Sequence, residues 1–326
     1  MFLLKWTLLR HWAIGVFLLS CIIHCDACSS PYHCAANRLC LKVAKIGKND
    51  LRTPCKANEI CCEYSNITNE RNSRPGQFPW TIALFSDGKF FGGGSLIAPR
   101  VVLTVAHSIR LKSEANIMVR AGEWDLASAS EPFSHEDRYV AKIVRHKEFV
   151  QSTGANDIAL LYLTSPFELK DHIQTICLPH QGKVFLQDRC LVAGWGKQSF
   201  EAPQFSQVQK KIDLPMVDRG QCQNLLRTRL GPTFELASSL ICAGGEKDND
   251  ACTGDGGSAL FCPLGVHDNR YLQAGIVNWG VECGKENVPA VFTSVAIFRD
   301  WIDQSLAVNS VEPLTNCALV GPRIVG

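Results

Sequence analysis

Residues 250–262 read Asp-Ala-Cys-Thr-Gly-Asp-Gly-Gly-Ser-Ala-Leu-Phe-Cys, a run rich in reactive and glycine positions. Gly256, at its centre, has no side-chain oxygen with which to attack a carbonyl, so a covalent step has no agent there. The chain carries sixteen cysteines, two of them in this run. In an exported chain such a number reads as disulfides, not as free thiols or zinc ligands. Asn66-Ile67-Thr68 is an acceptor sequence for a glycan on Asn66, set in a polar stretch. No acidic loop reads as a metal site, and no residue pattern calls for a cofactor.

The elements that must position these residues fall into successive segments. The chain has 326 residues, 46% hydrophobic and 20% charged, which suits a globular protein with a sizeable core. A net charge of +2 makes no case for nucleic acid or an anionic membrane as partner. Ala13 to Ile23 is a short apolar stretch preceded by Lys5, Arg10 and His11. It reads as a secretory signal peptide over 1–27, cut after Ala27; a cut near Cys25 or an uncleaved anchor are the alternatives. Cys28, Cys34, Cys40, Cys55, Cys61 and Cys62 lie in a segment, 28–62, too small to build much of a core without covalent staples. Six cysteines leave their pairing open. Residues 63–77 are polar and turn-rich and read as a linker.

From Phe78 onward, short runs rich in Val, Ile, Leu and Thr recur between Gly, Pro and Asn. Strands are expected over Trp80–Phe85, Val101–Val105, Ile117–Arg120, Tyr139–Val144, Ile158–Thr164, Leu191–Trp195 and Leu272–Trp279. That pattern argues an all-β sandwich or pair of barrels. Ile297, Phe298, Trp301 and Ile302 recur at helical spacing, so Ala296–Leu306 reads as one terminal helix. A tail, 307–326, follows.

Residues 78–306 resemble a trypsin/chymotrypsin-like domain from end to end. Gly93-Gly94-Ser95-Leu96-Ile97 with Val102-Leu103-Thr104-Val105-Ala106-His107 resembles the family's histidine motif. Asn156-Asp157-Ile158-Ala159-Leu160-Leu161 resembles its aspartate motif, and 250–262 its serine motif. Val192-Ala193-Gly194-Trp195-Gly196, Ile241-Cys242-Ala243-Gly244 and Trp279-Gly280 complete the series in order. The resemblance implies an all-β double barrel with a C-terminal helix. It also implies a degenerate triad of His107, Asp157 and Gly256, with Gly256 where the nucleophilic serine belongs. Ser258 lies two residues past that position, too far for geometry that must hold to about an ångström. The backbone N–H groups of Gly254 and Gly256 are then oxyanion-hole-like. Asp250, Asn278, Gly280 and Ala290 are substrate-pocket-like, with Asp250 where the family selects Arg or Lys. The pocket either still holds a basic side chain or is filled.

Family members are cut before an Ile-Val-Gly-Gly segment, whose new amino terminus pairs with the aspartate matching Asp255. Asn72-Ser73-Arg74-Pro75-Gly76 carries no such motif. Arg74 is followed by proline, and Arg71-Asn72 is the better site for a cut. The tail's last residues, Arg323-Ile324-Val325-Gly326, resemble an activation sequence, either by chance or as the start of a truncated second unit. By resemblance the disulfides are Cys190–Cys262, Cys222–Cys242 and Cys252–Cys283. Gly92 and Ser108 stand where the family's bridge beside the histidine would be. Cys177–Cys317 is expected to pin the tail.

The 28–62 segment, with Asp50-Leu51-Arg52 before Cys55 and an adjacent Cys61-Cys62 pair, resembles the clip domain of arthropod serine proteases. Carried over, that pattern joins Cys28 to Cys61, Cys34 to Cys55 and Cys40 to Cys62; another small cysteine knot is the alternative. The whole resembles the insect clip-domain serine protease homologues. The resemblance implies a secreted haemolymph protein that is not an enzyme and serves as a binding cofactor or adaptor in a proteolytic cascade, of the innate-immunity and melanisation type. Its partners would be a cascade protease, a prophenoloxidase-like substrate or a microbial surface. The alternatives are a pattern-recognition or adhesive protein and, more distantly, a weak residual endopeptidase.

Overall fold

The computed structural model describes residues 32–36, 59–63, 71–128, 131–186, 188–264 and 270–312. The chain divides into two compact units, with the boundary between Ile67 and Thr68. In the first, β1 (Tyr32–Ala36) and β2 (Glu59–Glu63) pair antiparallel, with Cys34 opposite Cys61 and His33 opposite Cys62. Cys28, Cys40, Cys55, Asn66 and Cys317 lie outside the described residues.

The second unit is two closed antiparallel barrels. The first contains β3 (Thr81–Ser86), β4 (Lys89–Ala98), β5 (Val101–Thr104), β6 (Ile117–Ala121), β7 (Glu136–Arg145) and β8 (Ala159–Leu163), closing in the order β3-β4-β5-β8-β7-β6. The second contains β9 (Arg189–Gly194), β10 (Lys210–Val217), β11 (Leu240–Gly244), β12 (Ala259–Pro263), β13 (Tyr271–Trp279) and β14 (Pro289–Ser294), in the order β10-β11-β14-β13-β12-β9. Closure leaves no free sheet edge in either barrel. All seven expected strands appear, with ends shifted by a few residues at most.

Alternation decides which side chains turn inward. In β6, Ile117, Val119 and Ala121 are buried while Met118 and Arg120 are only partly so. The first barrel fills with residues such as Ile82, Leu84, Leu96, Val119 and Leu161, the second with Val192, Leu214, Leu260 and Phe292. Between the barrels lies a shared seam. Phe78, Trp80, Val101, Leu103 and Leu160 meet Ala193, Phe261 and Ile276, and α2 (Arg299–Val308) closes it with Ile302 and Leu306. Trp80 and Phe261 sit edge to face at 5.2 Å between ring centroids.

One helix has no counterpart in the sequence reading. α1 (Arg219–Leu230) buries only Cys222 and Leu226, so it shows no apolar stripe. Its ends carry the signal instead. The Asp218 carboxylate accepts from the N–H groups of Gly220 and Gln221, and Gly231 ends the helix at φ +98°.

The barrel also draws in part of the stretch read as linker. Lys211 N–H donates to the Arg71 carbonyl at 2.9 Å, Asn72 bridges to Lys210, and Ser73 N–H donates to the Gln209 carbonyl at 2.9 Å. Ser73 is fully buried, and its hydroxyl reaches Gln209 Oε1 at 2.8 Å.

The seam sets the stability of this unit. Phe261→Ala is expected to lower unfolding free energy by about 3–5 kcal/mol. Leu264→Ala, at a partly exposed site just beyond β12, is expected to change it by less than about 0.5 kcal/mol. Urea denaturation of the two variants beside the parent reads the difference.

Candidate functional site

The cleft is built where the two barrels meet. Thr104 of β5 pairs with Ala159 of β8. The residues just past one strand and just before the other, His107 and Asp157, therefore come together. His107 Nδ1 lies 2.5 Å from Asp157 Oδ2, and the His107 backbone N–H donates to Asp157 Oδ1 at 2.8 Å. Asp157 is buried, while the imidazole keeps an open outer face. Behind it, the Thr293 hydroxyl donates to the Asp157 carbonyl at 2.8 Å, and Asn278 Nδ2 donates to Thr293 Oγ1 at 3.0 Å. Residues of both barrels thus hold the pair.

Gly256 completes the constellation in place but not in chemistry. A Cβ built on it would lie 3.7 Å from both His107 Nε2 and Ser108 Oγ, so a side chain there would face the imidazole without a clash. Gly93 N–H donates to the Gly256 carbonyl at 2.9 Å. Ser258 does not substitute. Its Oγ is buried without a partner among the described residues and is turned toward Gly93 and Gly194.

A cleft of about 290 Å³ is lined by His107, Gly254, Gly256, Asn278, Gly280 and Ala290, with Phe200 and Trp279 among its other walls. Gly254 has φ +95°, and a Cβ there would meet the Phe205 ring at 2.6 Å, so only glycine fits. The N–H groups of Gly254 and Gly256 donate to nothing among the described residues.

Asp250 is the exception among the pocket residues. It lines a separate cavity of about 590 Å³, shared with Lys210, Lys211, Arg229 and Lys247; Cys283, bonded to Cys252, borders both spaces. Gly284 N–H donates to Asp250 Oδ2 at 3.1 Å, while Oδ1 is buried without a partner among the described residues. Burial pushes its carboxyl up to about 7, against smaller opposing contributions from the backbone N–H groups of Gly284 and Ala251. A carboxyl so placed is a weak anchor for a basic side chain in the cleft.

The sequence reading did not single out Lys210. Its Nζ lies 2.9 Å from Asp255 Oδ2 and 2.7 Å from the Lys197 carbonyl, and both members of the ion pair are buried. The same carboxylate accepts from Gly196 N–H at 2.8 Å and Cys252 N–H at 3.0 Å. Both carboxylate oxygens thus accept at least one hydrogen bond, and removing one partner of such a pair costs about 3–5 kcal/mol. Strand periodicity carried the signal. Lys210, Ile212 and Leu214 share the inward phase of β10, and a lysine in that phase needs a buried counter-charge.

A second cluster missed by the sequence reading joins Glu123, Glu131 and His135, whose ligand atoms lie within 4.8 Å of one another. Such oxygen-rich donors suit a hard divalent cation, although Arg120 Nη1 already reaches Glu123 Oε2 at 3.1 Å. Burial and the neighbouring Glu123 push the Glu131 carboxyl up to about 9, and it accepts from the Asp125 backbone N–H.

Disulfides join Cys190 to Cys262, Cys222 to Cys242 and Cys252 to Cys283. Cys177 is also disulfide-bonded. At Gly92 a Cβ would lie 2.9 Å from the Gly256 carbonyl oxygen, so that position is shaped for glycine.

The raised Asp250 carboxyl sets a pH dependence. A folded-state value above the ordinary 3.8 means that stability present at low pH is lost as pH rises toward about 7. Asp250→Asn removes that loss. Its melting temperature is expected to exceed the parent's by an amount that grows from pH 4 to pH 7 and then levels off, as read by differential scanning calorimetry across that range.

Comparison with known proteins agrees with this architecture. The profile of the Trypsin family matches residues 67–302. Phenoloxidase-activating factor 2 of Galleria mellonella is 41% identical over 254 residues, covering 73% of this chain and 83% of the relative. The inactive CLIP domain-containing serine protease A28 of Anopheles gambiae is 37% identical over 259 residues, covering 77% and 67%. A second Anopheles gambiae protein, inactive CLIP domain-containing serine protease A8, is 37% identical over 287 residues, covering 82% and 78%. No helix among the described residues is long and apolar enough to cross a membrane. With its two closed barrels, its inter-barrel His–Asp pair and these relatives, the chain belongs to the trypsin family, as a clip-domain serine protease homologue.

Proposed function

We infer that the protein is a secreted pseudoprotease that works by binding, as a cofactor or adaptor in an extracellular proteolytic cascade of the innate-immunity and melanisation type. One observation carries the reading. The His107–Asp157 pair and the cleft are kept in order, yet Gly256 offers no oxygen to attack a carbonyl and Ser258 points away. A cleft that keeps its shape without its nucleophile can hold a polypeptide without cutting it. The names of the relatives support the same direction, since one is a phenoloxidase-activating factor and two are called inactive. The disulfide content suits an oxidising extracellular space such as haemolymph. The partners this reading calls for are a cascade protease and its prophenoloxidase-like substrate.

The test is phenoloxidase output from purified prophenoloxidase and an active clip protease, with and without this protein. A clear rise on adding the protein is expected. No change, with the protein intact or nicked near Arg71, would turn the reading toward recognition of microbial surfaces or adhesion. Labelling of the parent protein by a fluorophosphonate probe, abolished by His107→Ala, would instead restore a hydrolase.

A further inference from the structure

The loop that carries Gly254 and Gly256 is held from within. Asp255 has no exposure to solvent, and its carboxylate ties Cys252 N–H at the start of the loop to Gly196 N–H on the neighbouring segment. Lys197 N–H adds a bond to the Thr253 carbonyl at 2.8 Å. A buried carboxylate tolerates this position only with a counter-charge. Among the described residues, Lys210 is the one cation paired with it, at 2.9 Å. Gly254 and Gly256 line the cleft, and their N–H groups have no partners among the described residues.

The chain on the amino-terminal side of the barrels runs beside this lysine and is paired to it. Asn72 bridges to Lys210, flanked by bonds from Lys211 N–H to the Arg71 carbonyl and from Ser73 N–H to the Gln209 carbonyl. The counter-charge therefore comes from a strand to which the unbroken segment 71–73 is already bonded. It does not depend on a newly made amino terminus.

We propose that Lys210 is the positioning residue of the cleft: its ammonium fixes Asp255, and through it the Gly254 and Gly256 N–H groups, so the uncut chain already presents a site for a peptide carbonyl or carboxylate oxygen. Two neighbouring N–H donors left unused on residues that line one cleft are the chemistry that accepts such an oxygen. The inference holds for any partner and does not rest on the cascade role.

The experiment restores the missing atom and asks whether the site is assembled. In the full-length, uncut protein carrying Gly256→Ser, a fluorophosphonate probe reports the geometry. The introduced hydroxyl oxygen bonds to phosphorus, the P–F bond breaks, fluoride leaves, and His107 takes the hydroxyl proton. Labelling is expected in the uncut chain, with a rate unchanged by cutting between residues 71 and 74. Adding Lys210→Met is expected to lower the rate by about a hundredfold, the loss that follows removal of an oxyanion donor, while melting stays cooperative. A lysine that merely stabilised the fold would not separate those two readouts. Should Lys210→Met fail to melt cooperatively, Lys210→Met with Asp255→Asn removes both buried charges, and the same loss of labelling is expected. An unlabelled but folded Gly256→Ser protein overturns the proposal. So does undiminished labelling in either lysine variant, or labelling that rises steeply on cutting.

Discussion

Two closed barrels have no free edges with which to pair as sheets, so the contact between them rests on packed side chains and a few backbone bonds such as Gly93 N–H to the Gly256 carbonyl. Everything else in this unit depends on that seam. Phe78 and Trp80 enter it from the first barrel, Phe261 and Tyr271 from the second, with ring centroids 5.1–6.1 Å apart. Their tilted and edge-to-face packing admits one relative placement of the barrels. His107 and Asp157 belong to one barrel, and Gly256, Asn278 and Thr293 to the other. Placement of the barrels is thus placement of the site.

Polar groups cross the same seam, under a stricter rule than apolar ones. The Asn278 amide, the Thr293 hydroxyl and the Asp157 carbonyl form a chain in which each donor meets an acceptor. Ser95 Oγ likewise reaches Gln273 Oε1 at 2.8 Å from one barrel to the other. Satisfied networks of this kind specify a unique arrangement because a small displacement strands a buried donor. The buried Asp157 carboxylate likewise accepts from the His107 backbone N–H and pairs with the imidazole, a use that does not require catalysis. That is a physical reason for it to persist beside Gly256.

The Lys210–Asp255 pair belongs to the same class, with charge added. A buried ion pair contributes little net stability compared with apolar packing, yet each partner is costly without the other. Its value lies in what it orders: a glycine-rich loop whose backbone, left to itself, would sample many conformations. Gly254 at φ +95° and Gly257 at φ +88° are positions no other residue would adopt without strain, and a Cβ added there would collide with Phe205 in the one case and the Gly93 carbonyl in the other. The same glycine content that makes the loop possible makes an anchor necessary.

Much of this was legible in the residues themselves. Short runs rich in Val, Ile, Leu and Thr between turn residues predicted the strands, because strand-favouring composition and turn punctuation are written locally. That position 256 carries no hydroxyl was legible too, since no fold can give a glycine one. Helix α1 escaped because its two buried residues make no stripe, although its caps at Asp218 and Gly231 were there to read. What tertiary structure alone decided are the relations between distant segments. It turned Asp250 into a cavity apart from the cleft and gathered Glu123, Glu131 and His135. It also brought Lys210 to Asp255 across 45 residues of sequence. Residue type states what a group can do, and local spacing states which way it faces. Which buried charge meets which is set by the closure and packing of the barrels, and no local pattern encodes that.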